Sequence, residues 1–156
     1  MQVSRKTFRI ILVALLLISG AFASWSWLRP YEWSADPRAR AKIVGCLVER
    51  DHSNYWVMLK LRIPEGEKHD LGQPVRLLVD GGDNLEPADT TLEGDEKQAV
   101  RVVWLKFWLE EKQMKGSLSL KINEGKLTVR SGRSGNGKGL PDLRSDDTRY
   151  FVTHRW

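Results

Sequence analysis

From residue 10 to residue 28 the chain reads IILVALLLISGAFASWSWL, nineteen positions without one charged side chain. A soluble core helix would interrupt such a run with polar residues at a period of 3.6. At ~1.5 Å rise per residue the run predicts a helix of about 28 Å, enough to cross the hydrocarbon of a bilayer. Arg5, Lys6 and Arg9 stand before it and Arg29-Pro30 behind it. Residues 1–9 therefore read as a basic n-region and residues 10–28 as a transmembrane or signal segment that puts the chain in contact with a membrane.

Two fates compete for that segment. Ala21-Phe22-Ala23 before Ser24 makes an A-x-A cleavage site. Against cleavage, the apolar run continues beyond it, and Trp25 and Trp27 lie where interfacial tryptophans hold a spanning helix. The expectation is a retained single-pass anchor with the domain on the extracytoplasmic side; cleavage after Ala23, giving a secreted or periplasmic protein, is the alternative. The positive-inside comparison is nearly even, with Arg29, Arg38, Arg40 and Lys42 following the helix, so an inverted topology stays open. Residues 29–41, with two prolines and mixed charge, read as a juxtamembrane spacer.

Beyond residue 42 the hydrophobic period drops to two, the signature of strands. Runs are expected at 43–48, 55–63, 75–79, 99–109 and 150–156. Between 55 and 63, Tyr55, Val57, Leu59, Leu61 and Ile63 share one face, with Trp56, Met58, Lys60 and Arg62 on the other. Leu118, Leu120 and Ile122 alternate outbound and Leu127 and Val129 return, joined by Asn123-Glu124-Gly125 as a three-residue hairpin loop with glycine in the left-handed position. About seven short strands and no amphipathic helix in residues 42–156 predict an all-β domain. The expected form is a small antiparallel β-sandwich, immunoglobulin-like in the broad sense, with a small β-barrel as the alternative. Cys46 is the only cysteine of the 156 residues, so no intrachain disulfide is possible.

Charge changes the picture less than the formal +5 suggests. Without the three leader cations the balance falls to +2, which makes no single-sign field for a nucleic acid. Nucleic acid is excluded as a partner.

Candidate chemistry is thin. Residues 132–139, from Gly132 to Gly139, follow the P-loop pattern up to Lys138, but glycine replaces the magnesium-binding hydroxyl and no helix pattern follows. Asp80 to Glu96 contains seven acidic and no basic residues. Its spacing fits no EF-hand, so it reads as a solvated loop rather than a calcium site. His52, His69 and His154 form no closely spaced pair that would hold zinc. Ile43-Val44-Gly45-Cys46 resembles a lipoprotein box but stands behind a charged run, so Cys46 reads as a small buried residue. No catalytic residue, metal ligand set or cofactor is expected.

The aromatic pattern carries more. In VRVVWLKFWL, strand alternation sends Val103, Leu105, Phe107 and Leu109 one way and Trp104, Lys106 and Trp108 the other. If the aliphatic faces make the core, Trp56, Trp104 and Trp108 form an outward ligand-binding platform of flat rings, suited to sugars or apolar peptide segments; the competing expectation is a central strand apolar on both faces, its tryptophans buried beneath the acidic loop. The expected function is a non-enzymatic, membrane-tethered binding or assembly module of the cell envelope with a protein or polysaccharide partner. The alternative is a small periplasmic hydrolase with its site assembled across loops.

Overall fold

The computed structural model describes residues 5–28, 33, 36–68, 72–94, 99–132, 140–154 and 156. It divides into two compact units, Met1–Glu32 and Trp33–Trp156. The first holds helix α1, Arg5–Leu28. Within it Lys6–Ser24 has a mean hydropathy of 2.0 and no buried side chain, long and apolar enough to span a membrane. The side chains of Trp25 and Trp27 lie outside the described residues, as do Arg29 and Pro30.

The second unit is mostly β. Its strands are β1 (Lys42–Asp51), β2 (Asn54–Arg62), β3 (Arg76–Val79), β4 (Asn84–Leu85), β5 (Asp89–Gly94), β6 (Val100–Glu110), β7 (Leu118–Ile122), β8 (Gly125–Arg130) and β9 (Thr148–Phe151), with a short helix α2 (Glu111–Met114) after β6. They form two antiparallel sheets, one of five strands in the order β5-β6-β2-β1-β9 and one of four in the order β4-β3-β7-β8. Each sheet keeps two edges, so the barrel alternative fails: closure would pair them away.

Side-chain parity builds the core. Tyr55, Val57, Leu59 and Leu61 of β2 and Val103, Leu105, Phe107 and Leu109 of β6 join Leu77, Leu118, Leu120, Ile122, Leu127 and Val129 of the second sheet in one buried cluster. At about 25 cal/mol per Å² of apolar area, this shared burial is the main favourable contribution to folding.

Several sequence expectations change. The acidic stretch is not all loop, because Asp89–Gly94 pairs with β6 as an edge strand and Asn84–Leu85 pairs with β3. Asp95 and Glu96 lie outside the described residues. The last run ends early: β9 stops at Phe151 and Trp156 folds back to stack on its ring at 4.8 Å between centroids. The β7–β8 connection is a two-residue turn closed by the Ile122–Gly125 pair, and Asn123 takes the positive φ of 50°. Gly125 answers a different demand, since a Cβ there would collide with the Ala39 backbone.

That collision partner belongs to the expected spacer. Trp33, Ala39 and Ala41 are part of the buried cluster. Asp36 caps a single 3-10 turn at Pro37–Ala39 and accepts hydrogen bonds from the Lys126 and Arg38 amides, each at 3.0 Å. These bonds, first that from Lys126, hold its carboxyl below the usual carboxylate range. The Asn123 side chain donates to the Ala39 carbonyl at 2.6 Å.

Candidate functional site

Trp56, Trp104 and Trp108 share the outward face of the five-stranded sheet, as strand parity demands. Trp56 stands directly opposite Trp108 across β2 and β6, Met58 opposite Lys106, and Lys60 opposite Trp104. None of the outward residues Trp56, Met58, Lys60, Arg62, Trp104, Lys106 and Trp108 is buried, and Trp108 is 41% exposed. Leu47 and Glu49 of β1 continue the face, and Tyr150 of β9, 50% exposed, reaches its far side.

The rings are not bare. The Lys106 ammonium lies over the Trp56 ring at 4.3 Å and the Lys60 ammonium over Trp104 at 4.8 Å. The Trp104 indole Nε1–H donates to Glu93 at 2.7 Å, so its polar edge is occupied by the neighbouring strand. Lysine stems cover apolar surface while keeping the charge in water, and an ammonium is attracted to the indole face. Two of the three predicted rings are thus held between strands, and Trp108 is the open one.

Beside these rings runs a feature absent from the sequence reading. Asp89 pairs with Lys106 and Thr91 with Trp104 across β5 and β6, and Glu93 follows. With Met58 they line an open groove of about 270 Å³. The signal was present: Asp89, Thr91 and Glu93 alternate with Thr90 and Leu92, a period of two hidden beneath the run of acids.

The other candidates are not assembled with this face. Asp80 accepts from the Ser117 hydroxyl at 2.6 Å and its amide at 2.7 Å, and these bonds, the hydroxyl's first, lower its pKa. Asp83 accepts from Gln113 at 3.1 Å. These carboxylates join β-turns to neighbouring elements. His52 occupies the exposed β1–β2 turn at φ 54°, its Nδ1 2.9 Å from Asp51, whose carboxylate raises the imidazole pKa. His154 lies beside Trp33, ring centroids 6.5 Å apart, and His69 is outside the described residues. Among the described residues no group of three His, Cys, Asp or Glu is placed to hold a metal. Residues 133–139 of the P-loop-like segment lie outside the described residues, and residues 140–147 carry no helix. Cys46 is fully buried, and desolvation pushes its thiol pKa far up.

One cation among the described residues is fully buried. Arg130 is 0% exposed, donates to the Trp156 carbonyl at 2.6 Å and to the Met114 carbonyl, and lies 5.2 Å from the Trp156 ring. It ties the end of the described chain to α2, and burial lowers its pKa.

Comparison with known proteins gives no matching family model, no matching curated protein and no matching solved structure. The functional reading rests on the geometry alone.

Proposed function

We propose that this chain is a non-enzymatic, membrane-tethered binding or assembly module of the cell envelope. In this reading α1 is the retained anchor and the β unit, a small sandwich that is immunoglobulin-like in the broad sense, stands on the extracytoplasmic side. The observation that carries it is the outward face of β2 and β6, where three tryptophans and a methionine escape burial and Trp108 is 41% exposed. Solvent-facing sheet surface normally carries polar side chains, and a tryptophan-rich one resembles the anchor of an interface. Two of the described carboxylates that a hydrolase would draw on, Asp80 and Asp83, are engaged by Ser117 and Gln113.

The test compares full-length wild type with Trp108→Ala, both solubilised from membranes, for quantitative retention of envelope proteins and cell-wall polysaccharide. The expected result is one saturable partner that the variant loses while still unfolding cooperatively, its melting temperature lowered by no more than a few degrees. Equal retention by both chains, or unfolding of the variant, defeats the reading. External protease should cut the β unit in intact spheroplasts; protection there would mean the inverted topology.

A further inference from the structure

Resting on the outward face being a contact surface, we infer that the groove between β5 and β6 takes an uncharged, hydroxyl-rich glycan chain. Three features of the groove lead to that ligand class.

The first is shape. Asp89, Thr91 and Glu93 form a polar wall along β5, opposite a rail of Lys106, Trp104 and Val102 on β6, and Trp108 continues the β6 face two residues past the end of that wall. Wall and rail each span four residue steps, about 14 Å at ~3.4 Å per residue. Two parallel edges of that length suit an extended polymer rather than a single compact molecule.

The second is charge. The wall's carboxylates, Asp89 and Glu93, share the groove with the Lys106 ammonium, and the Lys60 ammonium stands next to it over the Trp104 ring, so the charges are two of each sign. A polyanion would meet Asp89 and Glu93 and a polycation would meet the lysines, each at an electrostatic penalty. A neutral polyol meets acceptors in the carboxylates, donors in the ammonium groups and both in the Thr91 hydroxyl. Its C–H ring faces match the open indole of Trp108.

The third feature distinguishes a glycan from an extended peptide. β6 pairs with β5 on one side and β2 on the other, so its backbone groups are committed to the ladder. A peptide laid in the groove over β6 would find no backbone donors or acceptors for its own amides, since the unpaired edge of β5 lies on the side of the wall away from β6, and unmatched buried amides are costly. A sugar chain needs only side chains and ring faces, which is what the groove presents. Glu93 is already fixed by its 2.7 Å bond from Trp104, so part of the wall is preorganised.

The test uses the full chain in phosphatidylcholine nanodiscs, which carry no sugar headgroup to compete. Calorimetric titration with hexamers of β-1,4-glucose, β-1,4-N-acetylglucosamine and, as the anionic control, galacturonic acid supplies the probes. At least one neutral hexamer is expected to bind saturably, with the galacturonate hexamer about tenfold weaker or more. Trp108→Ala should weaken that binding about tenfold or more, and Asp89→Asn, on the fully exposed edge strand where folding is not at stake, about threefold or more. Absence of binding by both neutral hexamers, preference for the galacturonate, or affinity unchanged in both variants overturns the inference. If the hexamers fail while Trp108→Ala still loses an envelope protein partner, the glycan falls and the contact surface stands. If Trp108→Ala loses nothing in either experiment, both fall.

Discussion

The two faces of the β2–β6 ribbon use the same backbone and both carry large aromatic side chains, yet their environments are opposite. On the inner face Phe107 and Tyr55 are 0% exposed; one residue along, Trp108 is 41% exposed. Hydrophobicity therefore did not decide which aromatic went inside. Parity did: once the aliphatic residues of β2 and β6 face the second sheet, every intervening residue is committed to the other side. The tryptophans on that side are compensated locally, by lysine stems over Trp56 and Trp104 and by the Glu93 bond.

If the faces differ in this way, adjacent substitutions should differ most in unfolding experiments on the full chain. Phe107→Ala is expected to cost about 3–5 kcal/mol through the cavity it leaves. Trp108→Ala is expected to cost about 1 kcal/mol or less, as surface changes do. Equal losses in denaturant midpoint would erase the comparison.

The interior and the outward face also each hold a cation against an indole, Arg130 of β8 by Trp156 inside and Lys106 by Trp56 outside. Arg130→Met strands the buried carbonyls of Met114 and Trp156 and should cost about 2–4 kcal/mol. Lys106→Met removes a half-exposed contact worth about 0.5–1 kcal/mol. Chemical denaturation of the pair separates these, and a larger effect at Lys106 would show that the outer ladder, not the inner clamp, supports the fold.

A smaller contrast sits in two glycines. Alanine at position 125 meets the Ala39 backbone, while alanine at position 45 meets only the tip of the half-exposed Tyr150 side chain. Gly125→Ala should cost about 1–3 kcal/mol as overpacking, and Gly45→Ala less, because Tyr150 can swing away. Thermal melts decide it.

The smallest effect is expected at the exposed β1–β2 turn. Asp51 raises the His52 pKa above its ordinary 6.5, so the protonated imidazole favours the folded state. Its contribution is fully present below 6.5 and is lost as pH rises through the raised value. Asp51→Asn should return the His52 midpoint, followed by the ring proton shifts, towards 6.5; an unmoved midpoint would discount the carboxylate as the cause.

Much of the architecture was legible in residue patterns. The alternation from Tyr55 to Ile63 and from Val103 to Leu109 placed both inner faces and all three outward tryptophans before any contact was known. The local reading failed where two signals shared a segment. In Asp89–Gly94 acidic composition masked a period of two, and in Asn123-Glu124-Gly125 the glycine looked like the turn's left-handed residue when asparagine filled that place. Trp33, Ala39 and Ala41 looked like spacer because nothing in their own neighbourhood shows the β7–β8 hairpin they pack against.

By itself the sequence determined the apolar helix, the all-β character of the rest and the parity of its principal strands, because each follows from side-chain spacing along a few consecutive residues. Tertiary structure alone decided that β5 borders β6, that Glu93 reaches the Trp104 indole, that lysines cover two of the three rings, and that Arg130 is buried among carbonyls. Those contacts join residues 11 to 26 positions apart or lie across a sheet. Such neighbours are set by strand order and register, which no local periodicity encodes.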